Sequence, residues 1–264
     1  MLGRLIVNDV KRNLLSKSAI IAWLALVVLQ WYPVYLEMRL TPNIVNDPLY
    51  YLVMFAGKNS ALFYTIVAIP CAMSWPDDHN YGMSTYISTR ASAKLYAFAK
   101  TLSAWLSYFL FCGTAVFFFV VSVILWTHFT GEPVDRFFIH SGIDLHLTYY
   151  YIASKGVLLY AIARTIVLAL LASMWSMLSF LVSVYYSNVF LTIAMPPIIV
   201  YFVINLMGKL SVPGYLSPIV VGQDFFHLGS IASTLLYTLA YCLIISGILA
   251  WFSYRKMVKE VTRA

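Results

Sequence analysis

TIVLALLASMWSMLSFLVSVYYSNVFLTIAMPPIIVYFVINLMG, residues 165–208, runs without a single charged side chain. A helix needs about 20 predominantly apolar residues to cross the hydrocarbon core of a bilayer. The stretch is therefore long enough for two crossings, and the polar cluster Ser183, Tyr185, Tyr186, Ser187 and Asn188 divides them. Lipid offers the backbone no hydrogen-bond partner, so a spanning segment is a helix or part of a closed barrel. Barrel strands alternate in hydropathy over about ten residues. The run here is long and continuous, which selects helices.

Outward from this stretch the same pattern recurs. Runs free of charge, extended by about a turn to take in Lys58 and Arg164, place six spans at 18–36, 55–76, 101–127, 160–184, 188–208 and 228–254. The expected fold class is an all-α polytopic membrane protein. Composition agrees: 62% of the 264 residues are hydrophobic and 10% are charged, against about 25% charged in a soluble domain. The net charge of +7 invites a nucleic-acid partner. Its distribution excludes one, because the cations sit at span edges rather than along one stripe.

Those cations also set the orientation. Arg4, Lys11, Arg12 and Lys17 precede the first span, Arg90, Lys94 and Lys100 lie between the second and third, and Arg255, Lys256, Lys259 and Arg263 follow the sixth. A six-span chain brings all three groups to one side, and Lys/Arg-rich flanks face the cytoplasm. Both termini are expected there, in a multi-pass protein of the cell membrane. No cleavable signal peptide is expected, since the first apolar run is long enough to span.

Residues 1–17 read as an amphipathic helix. Leu2, Leu5, Ile6, Val10 and Leu14 recur at helical spacing, and Arg4, Asn8, Lys11 and Arg12 take the opposite arc, with Asp9 and Asn13 at its edges. Such a helix lies in the membrane interface or extends the first span. Residues 209–227, rich in Pro, Gly and apolar side chains, read as a re-entrant hairpin on the outer side or as a surface loop. Pro196 and Pro197 fall mid-span, where proline removes backbone bonds and bends a helix; they are candidates for shaping a pathway. Arg164 either lines that pathway or snorkels to the outer interface, the latter being favoured by its place near the start of span four. His140, Asp144 and His146 share an outer loop, but their spacing is no zinc motif, and no metal site is assigned. Cys71, Cys112 and Cys242 read as small reduced hydrophobes.

The most specific segment is residues 77–100, with its approach: WPDDHNYGMSTYISTRASAKLYAFAK, residues 75–100. Pro76, Asp77 and Asp78 suit a helix start. Met83, Tyr86 and Ile87 give an apolar stripe, and Ser92 is a candidate N-cap for a helix running into span three.

This segment resembles the cytoplasmic coupling segment of ABC-2 type exporter permeases. In that family an acidic residue is followed four positions on by glycine, then a short apolar stretch, an Arg-Pro-x-Ser-like turn and a lysine at the mouth of span three. Asp78, Gly82, Met83, Tyr86, Ile87, Arg90, Ser92 and Lys100 fall in that order. Asp78 stands where the family more often has Glu, and Ala91 where it has proline. The outline of interfacial helix, six spans, coupling segment and hairpin before the last span is similar throughout the chain.

The resemblance implies a permease subunit that pairs with a second copy or a related permease. It further implies two separate ATP-binding cassette ATPase subunits, which supply ATP and magnesium chemistry. The coupling residues would seat against those subunits. The chain agrees in lacking the phosphate-cradling G-x-x-x-x-G-K-[ST]: Gly57-Lys58 is followed by Asn59. No cofactor and no catalytic residue is expected in this chain. With no Asp or Glu inside any expected span, the cargo would be an amphipathic or hydrophobic solute, most simply a peptide of antimicrobial or toxin-like character. A lipid-linked polysaccharide or a lipid is the alternative cargo. A membrane-embedded enzyme resting on the His140 loop is the alternative of another class, and a non-transporting binding factor a third.

Overall fold

The structure, a computed structural model, describes residues 2–40, 60–72, 74–82, 92–129, 152, 156–186, 188–210, 213–217, 220–222 and 226–263. Among these every extended element is helical. In chain order they are α1 (Leu2–Leu14), α2 (Lys17–Leu40), α3 (Ser60–Ala68), α4 (Ser74–Asn80), α5 (Ala93–Phe129), α6 (Val157–Tyr185), α7 (Val189–Lys209) and α8 (Ile231–Arg263). Five of them, α2, α5, α6, α7 and α8, are long and apolar enough to cross a membrane. The chain is thus a multi-pass membrane protein by the length and composition of its helices.

Burial follows the same logic. Tyr160, Met174, Met177 and Phe180 of α6 are almost wholly enclosed, and α6 packs against α3, α5, α7 and α8. Outside, Phe190, Tyr201, Phe202 and Ile244 stand bare. Water would penalise each of these by about 1.5–3 kcal/mol; lipid does not. Polar atoms turn inward or bond back to their own helix. Thr101 donates to Ala97 O at 2.8 Å, Ser107 to Ser103 O at 2.7 Å and Ser253 to Leu249 O at 3.0 Å. Across helices Ser179 donates to Thr192 O at 2.7 Å, joining α6 to α7.

Directions can be read from paired contacts. Trp23 Nε1 donates to Thr114 Oγ1 at 3.1 Å and Trp31 Nε1 to Ser122 Oγ at 2.9 Å. Both partners advance together, so α2 and α5 run parallel. Lys256 of α8 lies 5.3 Å from the ring of Tyr185, which brings the ends of α6 and α8 together. The start of α7 borders the same cavity as Arg12 and Asp77. Hence α2, α5 and α7 leave one charged end of the bundle, and α4, α6 and α8 arrive at it.

Several expectations are corrected. Span two was expected as one helix over 55–76. Its described part is the nine-residue α3, a 3-10 turn at Ile69–Cys71 and the separate α4. Pro70 explains the break, since it lacks a backbone donor and its ring crowds the preceding turn. Residues 55–59 lie outside the described residues. Span three, expected at 101–127, belongs to a helix of 37 residues that starts at Ala93. At 1.5 Å per residue that is about 55 Å, well over the hydrocarbon thickness of about 30 Å. Arg164 does not snorkel: it is 2% exposed. The reason is the face it occupies: Leu158, Leu159, Ile162 and Ile166 keep one side of α6 exposed, while Arg164 lies on the packed side with Tyr160, Ala161 and Leu168.

Pro196 is buried within a helix that continues through both prolines. In the 209–227 segment, the described residues form 3-10 turns at Gly214–Leu216 and Val220–Gly222. Tyr237 donates to Tyr215 O at 2.6 Å and Tyr241 to Leu216 O at 3.0 Å, so the segment folds back onto α8. The three cysteines are free and buried, as expected. His140, Asp144 and His146 lie outside the described residues.

Close packing of α5 on α6 passes through Gly113, where an added Cβ would meet Ala169 Cβ at 3.5 Å. That is ordinary contact, so Gly113→Ala is expected to leave the melting temperature in detergent unchanged or slightly raised. Gly113→Leu presses a larger side chain against Ala169 and is expected to cost about 1–3 kcal/mol. Equal melting of the two variants would refute this packing.

Candidate functional site: a buried charge node

Four charges from three helices meet at the charged end. Asp78 of α4 is 3% exposed and Lys100 of α5 is 1% exposed. Lys100 Nζ lies 2.6 Å from Asp78 Oδ2 and 3.2 Å from Asp9 Oδ2 of α1. Arg12 Nη1 lies 2.6 Å from Asp78 Oδ1, and Arg12 Nη2 lies 3.2 Å from Asp9 Oδ1. Two carboxylates and two cations thus close a ring with no net charge.

Hydroxyls complete the shell. Tyr96 OH donates to Asp78 Oδ2 at 2.8 Å, and Ser103 Oγ donates to Asp9 Oδ2 at 3.0 Å. Arg12 Nη2 also reaches Ser74 O at 3.3 Å. One turn deeper, Asn13 Nδ2 donates to Ser107 Oγ at 3.2 Å. The ring of Trp75 stacks on His79 and leans on Tyr96, roofing the node with aromatic surface.

Local sequence explains the convergence. Asp9, Arg12 and Asn13 are spaced three and four apart, which puts them on one face of α1. Tyr96, Lys100, Ser103 and Ser107 repeat at the same spacing on α5. Pro70 ends α3 and the chain re-forms a helix at Ser74, which turns Asp78 inward. Burial alone would raise the Asp78 carboxyl, but the Lys100 charge and the bonds from Arg12 and Lys100 outweigh it and hold it below its usual range. Burial of Arg12 works against its charge, yet the bond it donates to Asp78 and the charge of that carboxylate raise its basicity above the ordinary value.

Beside the node lies a cavity of about 350 Å³, lined by Arg12, Asn13, Ser16, Asp77, Pro70 and Ile193 among others. Arg12 faces both, with its side chain 46% exposed. No group of three or more His, Cys, Asp or Glu that could hold a metal occurs among the described residues. The arrangement is a mechanical tie: α4 cannot move away from α1 and α5 without separating buried opposite charges.

The expected coupling residues divide. Asp78 and Lys100 come together, but inward, so neither presents its side chain to another protein. The sequence places both at the ends of one segment and does not show that the ends touch. Ser92 caps α5 as expected, accepting from Leu95 N at 3.3 Å. Gly82 ends α4 with φ +69°, a backbone that favours glycine. Met83, Tyr86, Ile87 and Arg90 lie outside the described residues. Asp9, Arg12, Asn13, Tyr96 and Ser103 are functional candidates that sequence reasoning missed; the signal was the Asp9–Arg12–Asn13 spacing, which blurs an otherwise clean apolar face. No protein-family model, curated protein or solved structure matches the chain.

Proposed function

We propose that this chain is the membrane-spanning subunit of an ABC-type exporter, driven by separate ATPase subunits. One observation carries the reading. Asp78 and Lys100 open and close the coupling-segment pattern, and they are ion-paired at 2.6 Å. The segment between them is thereby anchored at both ends to α1 and α5. A push on such a loop is delivered to the spans instead of being absorbed by a slack chain.

The direction of the helices supports six crossings. Parallel α2 and α5 require the chain between them to return across the membrane, and α3 with α4 supplies the return as a broken span. Arg4, Lys11, Lys17, Lys94, Arg255 and Lys259 are exposed at the charged end. Their bias supports a cytoplasmic place for that end and for both termini with it. The ATPase contact then falls on the exposed tip, where Tyr81 is 82% exposed beside Gly82. The apolar character of the bundle favours an amphipathic peptide as cargo, carried by a pair of permease subunits.

The test is affinity purification of the tagged chain in mild detergent from its native cells. A stoichiometric ATP-binding cassette ATPase is expected with it. If none is retained under any mild condition, the exporter reading fails.

A further inference from the structure

We propose that the groove between α5 and α8 is a binding site for one anionic phospholipid. The groove encloses about 510 Å³ at the charged end of the bundle, walled by Phe98, Trp105, Ser246, Gly247, Trp251 and Tyr254 among others. This inference does not depend on the exporter reading.

Two buried polar atoms in the wall have no hydrogen-bond partner among the described residues: Trp105 Nε1 and Ser246 Oγ. Ser246 is 4% exposed, yet it does not bond back to its helix as Thr238 and Ser253 of the same helix do. An indole N–H can only donate. Both residues line the groove, so rotation of either side chain would bring its unpaired atom to an acceptor there, inside a wall that is otherwise apolar. A lipid ester carbonyl supplies one, with an acyl chain filling the remainder.

The mouth of the groove supplies the charge preference. The Arg255 guanidinium stands 4.4 Å over the Trp251 ring. Lys94 lies one turn before Phe98 on the same face of α5, Lys259 one turn beyond Arg255, and all three cations are exposed. From Trp251 to Ser246 is five residues, about 7.5 Å along the helix. That separation suits a phosphate at Arg255 with its ester group at Ser246 and Trp105. A second copy of the chain fits less well. In a two-fold dimer within one membrane the charged ends of both copies share a side, so their cations would meet across the seam. Helix carbonyls of a second copy are also already committed to their own ladder.

The test is native mass spectrometry of the full chain in mild detergent, with dioleoylphosphatidylglycerol and dioleoylphosphatidylcholine added at equal concentration. One phosphatidylglycerol per chain is expected to be retained in preference to phosphatidylcholine. Arg255→Gln should reduce that preference about tenfold, as loss of a charge-assisted bond implies. Gly247→Leu should abolish retention of either lipid. Among the described residues a Cβ at position 247 meets nothing within 4 Å, and the position lines the groove, so the added side chain enters it; an unchanged melting temperature checks that the fold is kept. Equal retention of both lipids, or retention unaffected by Gly247→Leu, would overturn the proposal. So would a change of oligomeric state in Gly247→Leu with lipid retention unaltered, which would mark the groove as a seam between copies.

Discussion

Lys100→Met is expected to lower the stability of the solubilised chain by about 3–5 kcal/mol, the cost of removing one partner from a buried ion pair. At about 2–4 °C per kcal/mol for a chain of this size class, the melting temperature falls by about 6–20 °C. Methionine keeps the length and apolar stem of lysine, so packing survives and the loss is electrostatic. Asp78 would keep Arg12 and Tyr96 but lose the ammonium 2.6 Å away, and Asp9 would lose the same cation. Adding Asp78→Asn removes the stranded charge and leaves Asp9 with Arg12. The double variant should therefore recover part of the loss, with a coupling energy of about 1–3 kcal/mol. Melting of Lys100→Met within a degree of the parent would show that the node contributes nothing to the fold.

The same node predicts an acid limb. The Asp78 carboxyl is held below its usual range in the folded chain. Its contribution is complete above the ordinary carboxylate pKa of about 4 and is lost as pH falls through the lower folded value. Asp78→Asn should flatten the stability curve below about pH 4 relative to the parent. Thermal unfolding followed by circular dichroism across that range checks the sign, and an identical acid limb in the two proteins would contradict it.

How much of this was legible beforehand depended on the range of each signal. The break between α6 and α7 was local: a polar cluster interrupts the apolar run, and Asn188 caps α7 by accepting from Leu191 N at 3.2 Å. The Ser92 cap was local too. Span two misled because hydropathy counts apolar side chains and proline does not lower the count, so Pro70 passed unnoticed inside an apolar window. Lys94 and Lys100 ended the charge-free run and hid the first two turns of α5. Arg164 depended on which face of α6 is packed, a property of the contacts among all the helices. The node was the least legible part. Asp9 and Lys100 are 91 residues apart, and Arg12 and Asp78 are 66 apart. Asp78 and Lys100 were legible as the ends of one segment and Asp9 and Arg12 as part of an amphipathic helix, but only the fold pairs them.

That division between inner anchor and outer tip yields the second large effect. Tyr81→Ala combined with Gly82→Trp is expected to abolish ATPase capture in the affinity purification while leaving the melting temperature within about a degree of the parent. Tyr81 is 82% exposed, so its removal costs no packing. Among the described residues nothing lies within 4 Å of a Cβ at Gly82, and a side chain at φ +69° strains the backbone of the tip. Lys100→Met predicts the reverse order of events. The chain melts early, and ATPase retained at low temperature is lost only as the node opens. A tie that transmits force must hold the loop to the spans without itself being the docking surface. The two variants separate those duties: one loses the partner and keeps its fold, the other loses stability first. If instead Tyr81→Ala with Gly82→Trp keeps the ATPase at full stoichiometry, the contact lies elsewhere and the exposed end of α4 has no part in coupling.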